Sequence, residues 1–341
     1  MFGGQYPIIL APMGGVGTPE LAAAVCNAGG IGSLAAAYLT PLQIAEQIDR
    51  VRALTDRPFA VNLFIFEAAP LDRDASPTLA VLADFHRELG IAPPALPRIA
   101  SQDQAEQIRA VLSANVPIFS FTFGIPAPDI VDAFRSTTTK LVGTATTIAE
   151  AIALEAAGMD AIVLQGAEAG AHRGTFLGSF EDAMIPLPRL LADATRLVSV
   201  PLIAAGGIRA GEQIAALLNQ GAAAVQLGTA FIPCIESSAP RVYKDALLAG
   251  VKPGDTVVTR AVSGRPARGI PNPLIHEMEK IGESLLPFPW QNAATRPLRN
   301  AAALANRAEY LSLWAGEGTG PIRELPAAEL VRQLMLEAGI H

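Results

Sequence analysis

The sequence predicts an α/β fold, a (β/α)8 TIM barrel with a smaller, mostly helical second lobe over its mouth, and three observations carry that prediction. Apolar runs of strand length alternate eight times with segments of helical period, the pattern of repeated βα units over a parallel sheet. Glycines and other small residues follow the seventh and eighth runs, where such barrels hold phosphate. Beyond about Ile235 the rhythm stops. An open doubly wound sheet would show about six strands and a switch point, so the count favours the closed barrel.

Taken in order, the expected strands are Ile8 to Met13, Ile31 to Ala36, Phe59 to Phe64, Pro117 to Phe123, Lys140 to Thr144, Ala161 to Gln165, Pro201 to Ala205 and Ala223 to Leu227. The expected helices between them are Pro19 to Ala28 with Thr18 as N-cap, Pro41 to Leu54, Asp103 to Ala114, Asp129 to Phe134, Ile148 to Ala157, Leu187 to Leu197 and Glu212 to Asn219, several opened by a cap residue or proline and closed by glycine. Two stretches break the rhythm: 67–97, with prolines at Pro93, Pro94 and Pro97 and one helix at Thr78 to Leu89, and 166–186. The barrel is thus expected over 1–235 and the lobe over 236–341. In the lobe the pattern suggests helices at Pro240 to Leu248, Asn300 to Trp314 and Ala327 to Ala338, a strand-like Asp255 to Val262, and a loop from Ser263 to Pro273.

Composition narrows the function. Half of the 341 residues are hydrophobic and 17% are charged, which suits a sheet covered by helices and not a disordered chain. A net charge of -7 offers no basic surplus for phosphate backbones, so no nucleic-acid partner is expected. Two cysteines, Cys26 and Cys234, are too few for a disulfide framework or a Cys-based zinc site. The N-terminus lacks the pattern of a signal peptide, and no apolar run reaches membrane-spanning length; a soluble cytoplasmic protein with no bound metal is expected. Nothing in the sequence chooses between monomer and homodimer.

The strand ends gather one mouth: Pro12 and Met13, Asn62, Thr122, Gln165, Gly206 and Gly207, Gly228 and Thr229. Amides, glycines and a thioether suit a flat, hydrogen-bonding ring better than a sugar or a metal. AAGGI (Ala204 to Ile208) and QLGTA (Gln226 to Ala230) offer backbone N–H groups for a phosphate. Ring plus phosphate makes FMN the economical ligand. The bland alternative is that these glycines only permit tight turns.

The loop QGAEAGAHRG, Gln165 to Gly174, follows the sixth strand and holds His172. A histidine with no His or Cys nearby is a poor zinc ligand; in a glycine-flanked loop at the mouth, proton handling or anion recognition fits it better. His86, His276 and His341 lack that setting. In SGRPARG, Ser263 to Gly269, Arg265 and Arg268 either form a solvated basic loop or close over an anion. Glu168 is expected behind the site or in solvent.

Taken together, QYPIILAPMGGVGTPELAAAVCNAGGIGS (Gln5 to Ser33), RPFAVNLF (Arg57 to Phe64), QGAEAGAHRG, PLIAAGGI, QLGTAFIPCIESS (Gln226 to Ser238) and SGRPARGIPN (Ser263 to Asn272) carry a resemblance over nearly the whole chain. The chain resembles the nitronate monooxygenases, formerly called 2-nitropropane dioxygenases, and most of all their class I members. That resemblance implies an FMN-dependent oxidoreductase that detoxifies alkyl nitronates, propionate 3-nitronate among them, with O2 and without NAD(P)H. It implies flavin contacts from Met13, Asn62, Gln165, Gly170, Gly207, Gln226, Leu227, Gly228 and Thr229, catalysis by His172, and a substrate pocket including Tyr243 and Ser263. In one departure, Ala171 stands where the family loop usually has a second glycine before the histidine. If the backbone there has φ > 0, the alanine is strained. Related NAD(P)H-dependent flavin reductases, the type II enoyl-acyl-carrier-protein reductases and quinone reductases, share the histidine loop and form the competing reading. A non-catalytic flavin carrier and a flavin-free phosphate-sugar isomerase are more remote, the last because no lysine or carboxylate pair stands at the strand ends.

Overall fold

The computed structural model describes residues 1–67, 70–96 and 104–341. Its elements run in chain order as β1 (Ile8–Leu10), α1 (Pro19–Asn27), β2 (Gly32–Ala35), α2 (Pro41–Leu54), β3 (Phe59–Phe64), α3 (Ser76–Glu88), α4 (Gln104–Ser113), β4 (Ile118–Thr122), α5 (Pro128–Arg135), β5 (Lys140–Ala145) and α6 (Ile148–Ala156). There follow β6 (Ala161–Gln165), β7 (Ala171–His172), α7 (Leu187–Leu197), β8 (Leu202–Ala205), α8 (Gly211–Asn219), β9 (Ala224–Leu227), α9 (Arg241–Leu248), β10 (Val257–Thr259), β11 (Ala267–Gly269), α10 (Pro273–Glu279), α11 (Trp290–Leu304) and α12 (Ala327–Glu337).

Eight strands pair in parallel in the order β1-β9-β8-β6-β5-β4-β3-β2. The ends close where Ile31 bridges Ile9: Leu10 N donates to Ile31 O (2.8 Å) and Ile31 N to Ile8 O (3.0 Å). This is the expected (β/α)8 barrel. Local chemistry sets the helix starts. Thr18 Oγ1 accepts from Leu21 N, while Thr40 with Gln43 and Thr147 with Glu150 form reciprocal capping boxes.

Side chains alternate across a strand, and that alternation makes both the core and the site. Ile9, Ala60, Ile118, Val142, Val163, Ile203 and Ala224 pack together inside the barrel. Two residues further along the strands the same inward rows carry Asn62, Ser120, Thr144, Gln165 and Gln226. The barrel interior is therefore dry below and polar at its C-terminal mouth. The outward rows, such as Val61, Leu63, Phe119 and Phe121, join the helices in a second layer of core.

The tail makes a separate hydrophobic cluster that includes Tyr243, Leu247, Leu274, Met278, Leu298 and Leu313, and takes in Leu82 of α3. Its last helix, α12, instead packs Leu330, Val331 and Leu334 into the barrel core. Three expectations, two for the tail and one for the loop after β6, are corrected. The helix expected at Asn300 to Trp314 is α11, which starts ten residues earlier, ends at Leu304 and carries Pro297 in its interior. The loop expected at Ser263 to Pro273 contains β11 and the start of α10. The expected loop after β6 contains β7, which with β10 and β11 makes a small antiparallel sheet. Pro97 and Asp103, expected to end the first excursion and to start the next helix, lie outside the described residues.

Candidate active site

A cavity of about 330 Å³ opens at the C-terminal mouth of the barrel. Asn62, Ser120, Thr122, Thr144, Gln165 and Gln226 floor it. Asn62 Nδ2 donates to Ser120 Oγ (3.1 Å), so neighbouring strands orient each other's polar groups. Of the residues expected from the sequence, Met13, Asn62, Gln165, Gly170, His172, Gly207, Gln226, Leu227, Gly228, Thr229 and Tyr243 all line this one cavity. Ser263 does not line it; its side chain is fully buried and bonded to Arg265 N and O.

The small residues after β8 and β9 form one end. Gly207 has φ +68°, and a Cβ there would overlap the carbonyl oxygen of Glu317. Gly170 is packed as closely: its Cβ would lie 2.6 Å from Gly316 N. The 315–317 backbone thus presses on both glycines, and it is tied down where Gly316 N donates to Thr229 Oγ1 (3.0 Å) and Glu317 N to Glu168 O (2.8 Å). Arg209 stands at the same end, 2% exposed, with Nη1 donating to Val251 O (2.6 Å) and Nε buried without a protein partner. Sequence reading missed Arg209 and the 315–317 segment, although the spaced glycines of WAGEGTG (Trp314 to Gly320) were a visible signal for the latter.

The histidine loop is held from several sides. Gln165 Nε2 donates to His172 O (3.0 Å) and Gln165 Oε1 accepts from Gly174 N (2.8 Å). β7 pairs with β11, Ala171 opposite Arg268 and His172 opposite Ala267. Arg173 is buried and donates to the carbonyls of Gly166 (2.6 Å), Gln165 and Ala183 (both 3.1 Å). Downstream, the buried carboxylate of Glu150 accepts from Phe176 N and from Leu177 N (2.9 Å). Ala171 has φ +61°, so the departure noted in the sequence is a left-handed alanine.

Both readings of the arginine loop are corrected. Arg265 stacks its guanidinium 3.8 Å from the centroid of the Phe123 ring and donates to Arg173 O and Thr175 O. Arg268 is 6% exposed, pairs with Glu317 at 3.0 Å, and donates to Ala167 O and Thr256 Oγ1. Neither is solvated and neither lines the cavity; they staple the second lobe to the histidine loop. Glu168 accepts from Leu187 N (2.9 Å) and caps α7, behind the site as expected.

His172 lies among aromatic rings, its centroid 6.0 Å from Phe64, 5.7 Å from Phe123, and 5.8 Å from both Phe288 and Trp314. Burial in that box pushes its pKa down to about 3, with Arg265 and Arg299 adding repulsion. The imidazole is therefore neutral near pH 7. Its Nε2 is buried without a protein partner. Among the described residues the cavity is lined by two arginines, Arg209 and Arg299, and by no Asp or Glu. No group of described His, Cys, Asp or Glu could hold a metal ion, and no described helix could cross a membrane.

This arrangement has close parallels among known proteins. A family model described as nitronate monooxygenase matches residues 1–337. A probable nitronate monooxygenase of Staphylococcus saprophyticus is 38% identical, covering 98% of this chain and 95% of that protein. Among solved structures, the nitroalkane oxidase of Streptomyces ansochromogenes superposes with a TM-score of 0.90 at 41% identity, covering 99% of this chain and 96% of that one. FabK from Thermotoga maritima superposes at 0.76 with 26% identity, covering 98% and 93%. The chain belongs to the nitronate monooxygenase family of flavin-dependent oxidoreductases.

Proposed function

We propose that the chain is an FMN-dependent monooxygenase that oxidises alkyl nitronates, propionate 3-nitronate among them, with O2 and without NAD(P)H. A cytoplasmic location and a role in removing toxic nitronates belong to the same proposal. The observation that carries it is a neutral, partnerless histidine in a cavity whose only charged lining residues, among those described, are arginines. Such a cavity suits an anionic cofactor and an anionic substrate together.

The residues present fit FMN. Gly207, Gly228 and Thr229, with the orphaned Nε of Arg209, suit a phosphate. Asn62, Gln165 and Gln226 supply donors and acceptors for a ring edge, and Met13 an apolar contact for its face. Leu227 and Gly170 complete the proposed contacts. A flavin held by these residues would supply the electron transfer between substrate and O2. A nitronate is already an anion, so no side chain has to remove a proton from carbon. The aromatic box excludes water from His172, and an anion beside it offsets Arg265 and Arg299. His172 then gives or takes a proton at Nε2 as charge leaves the substrate. Tyr243 donates its hydroxyl to Trp314 O and shapes the pocket wall.

The test is spectroscopic. The purified protein should be yellow, bleach under anaerobic propionate 3-nitronate, and keep its colour under anaerobic NADH. Rapid bleaching by NADH would instead favour a reductase. His172→Asn should keep the colour and lose about 10²-fold or more in nitronate turnover; full activity would remove the residue from the mechanism.

A further inference from the structure

The proposed reading leaves one question open: which group holds the substrate's negative charge. His172 is neutral, Arg265 and Arg268 are spent on backbone carbonyls and Glu317, and Arg209 stands at the phosphate end. We propose that Arg299 of α11 is the anion anchor, binding a nitronate oxygen through Nη1, with the charge of Arg296 one turn earlier reinforcing it.

Three observations lead there. Arg299 lines the cavity and has no carboxylate within ion-pair distance among the described residues, and neither has Arg296. A desolvated guanidinium with no counter-charge is costly unless a partner arrives, and the cavity that Arg299 lines offers a partner a place beside it. Its donors are also unevenly used. Nε donates to Thr295 Oγ1 (3.2 Å), and Nη2 to Asn292 O (2.9 Å) and Oδ1 (2.8 Å). Nη1 reaches only Ser312 Oγ, at 3.5 Å, so at least one of its two N–H groups remains for a ligand. The contacts that are made hold the guanidinium still, so no ordering has to accompany substrate binding. Finally, Arg296 lies 5.0 Å over the ring of Tyr38, itself a cavity residue. Burial, with the like charge of Arg296 close by, lowers the affinity of Arg299 for its proton, and an anion arriving beside both charges is favourable to each.

The inference rests on the reading of the substrate as a nitronate, and its test separates the two. Arg299→Met and Arg299→Lys are compared with wild type, each loaded with flavin, on propionate 3-nitronate and on ethyl nitronate. A charge-assisted hydrogen bond lost at a desolvated site predicts a KM about 10- to 100-fold higher in Arg299→Met for both substrates, with a smaller fall in kcat. Arg299→Lys, which keeps the charge and loses the fork, should sit between. An unchanged KM in both variants overturns the assignment. So does a rise confined to propionate 3-nitronate, because the arginine would then meet the carboxylate. Titration with nitrate, a planar oxoanion that is not turned over, gives a readout independent of activity. It should perturb the flavin spectrum of wild type and bind at least tenfold more weakly to Arg299→Met, and equal binding overturns the anchor. Should wild type oxidise neither nitronate, the functional reading fails while the nitrate titration still judges Arg299. If Arg299→Met does not fold, Arg299→Lys decides both measurements.

Discussion

Ala171 allows strain at the histidine loop to be measured. Its φ of +61° puts an L-alanine in the left-handed region, at a cost of about 1–2 kcal/mol. The position is fixed from both sides, by Gln165 on the carbonyl of His172 and by pairing with Arg268, so the loop cannot relax by turning over. Ala171→Gly relieves the strain but frees the unfolded chain, which returns about 0.4–1 kcal/mol. The net expectation is a gain of roughly 0.5–1 kcal/mol. With an unfolding entropy of about 2.1 cal/mol/K per residue over 341 residues, that is a rise in Tm of about 1 °C. A shift so small needs an internal control of opposite sign. Ala216, exposed within α8, has helical geometry, and Ala216→Gly should cost about 1 kcal/mol. Calorimetry on the two variants at equal flavin loading should therefore find them roughly 2–3 °C apart, with Ala171→Gly the more stable. If both lose stability equally, Ala171 carries no strain.

Two further outcomes follow from the same geometry. The folded-state pKa of His172 is about 3 against 6.5 for the free side chain, so both states are neutral above pH 6.5 and only the unfolded chain takes up the proton between there and pH 3. Stability tied to this residue is complete above pH 6.5 and falls with pH through that window, by about 2 kcal/mol at pH 5. Urea unfolding at pH 7.5 and pH 5 should show His172→Asn losing less than wild type by about that amount, and equal losses would show that the imidazole titrates normally. After β8, Gly207→Ala would place a methyl group against Glu317 O on a backbone with φ +68°. The 315–317 segment must then shift, and the flavin-to-protein ratio on purification should fall several-fold; full loading would refute the packing argument.

Much of this was legible in the sequence because it is local. The bounds of α2, β3, β6 and α7 follow from a proline or capping residue at one end and a change of hydrophobic period at the other. The inward rows of the barrel could be read as far as Asn62, Gln165 and Gln226, since alternation alone assigns them a face. What escaped depends on partners distant in the chain. β7 and β11 are too short to leave a periodic signal and exist because each pairs with the other. The burial of Arg265 and Arg268 could not be seen because the same SGRPARG would be solvated were Phe123, Ala167 and Glu317 not there to receive it. Arg299 went unnoticed because the helix was expected to begin only at Asn300, whereas α11 starts at Trp290 and carries Arg299 in its interior.

The chain after β9 supports the histidine loop. β11 supplies the strand that fixes His172, and Arg268 ties that strand to Ala167 and Glu317. The 315–317 backbone rests on Gly170 and Gly207 and is bonded to Thr229. α11 brings Arg299 to the cavity. A barrel alone, with its polar floor and paired glycines, offers a place for a ring and a phosphate. Docking of the lobe adds Arg299 to the barrel's own Arg209, the aromatic rings of Phe288 and Trp314 around His172, and the tether on the histidine loop. On the proposed reading, specificity would reside in the contacts between lobe and mouth, with the barrel strands keeping their polar floor while α11 and the 315–317 segment vary the anion accepted.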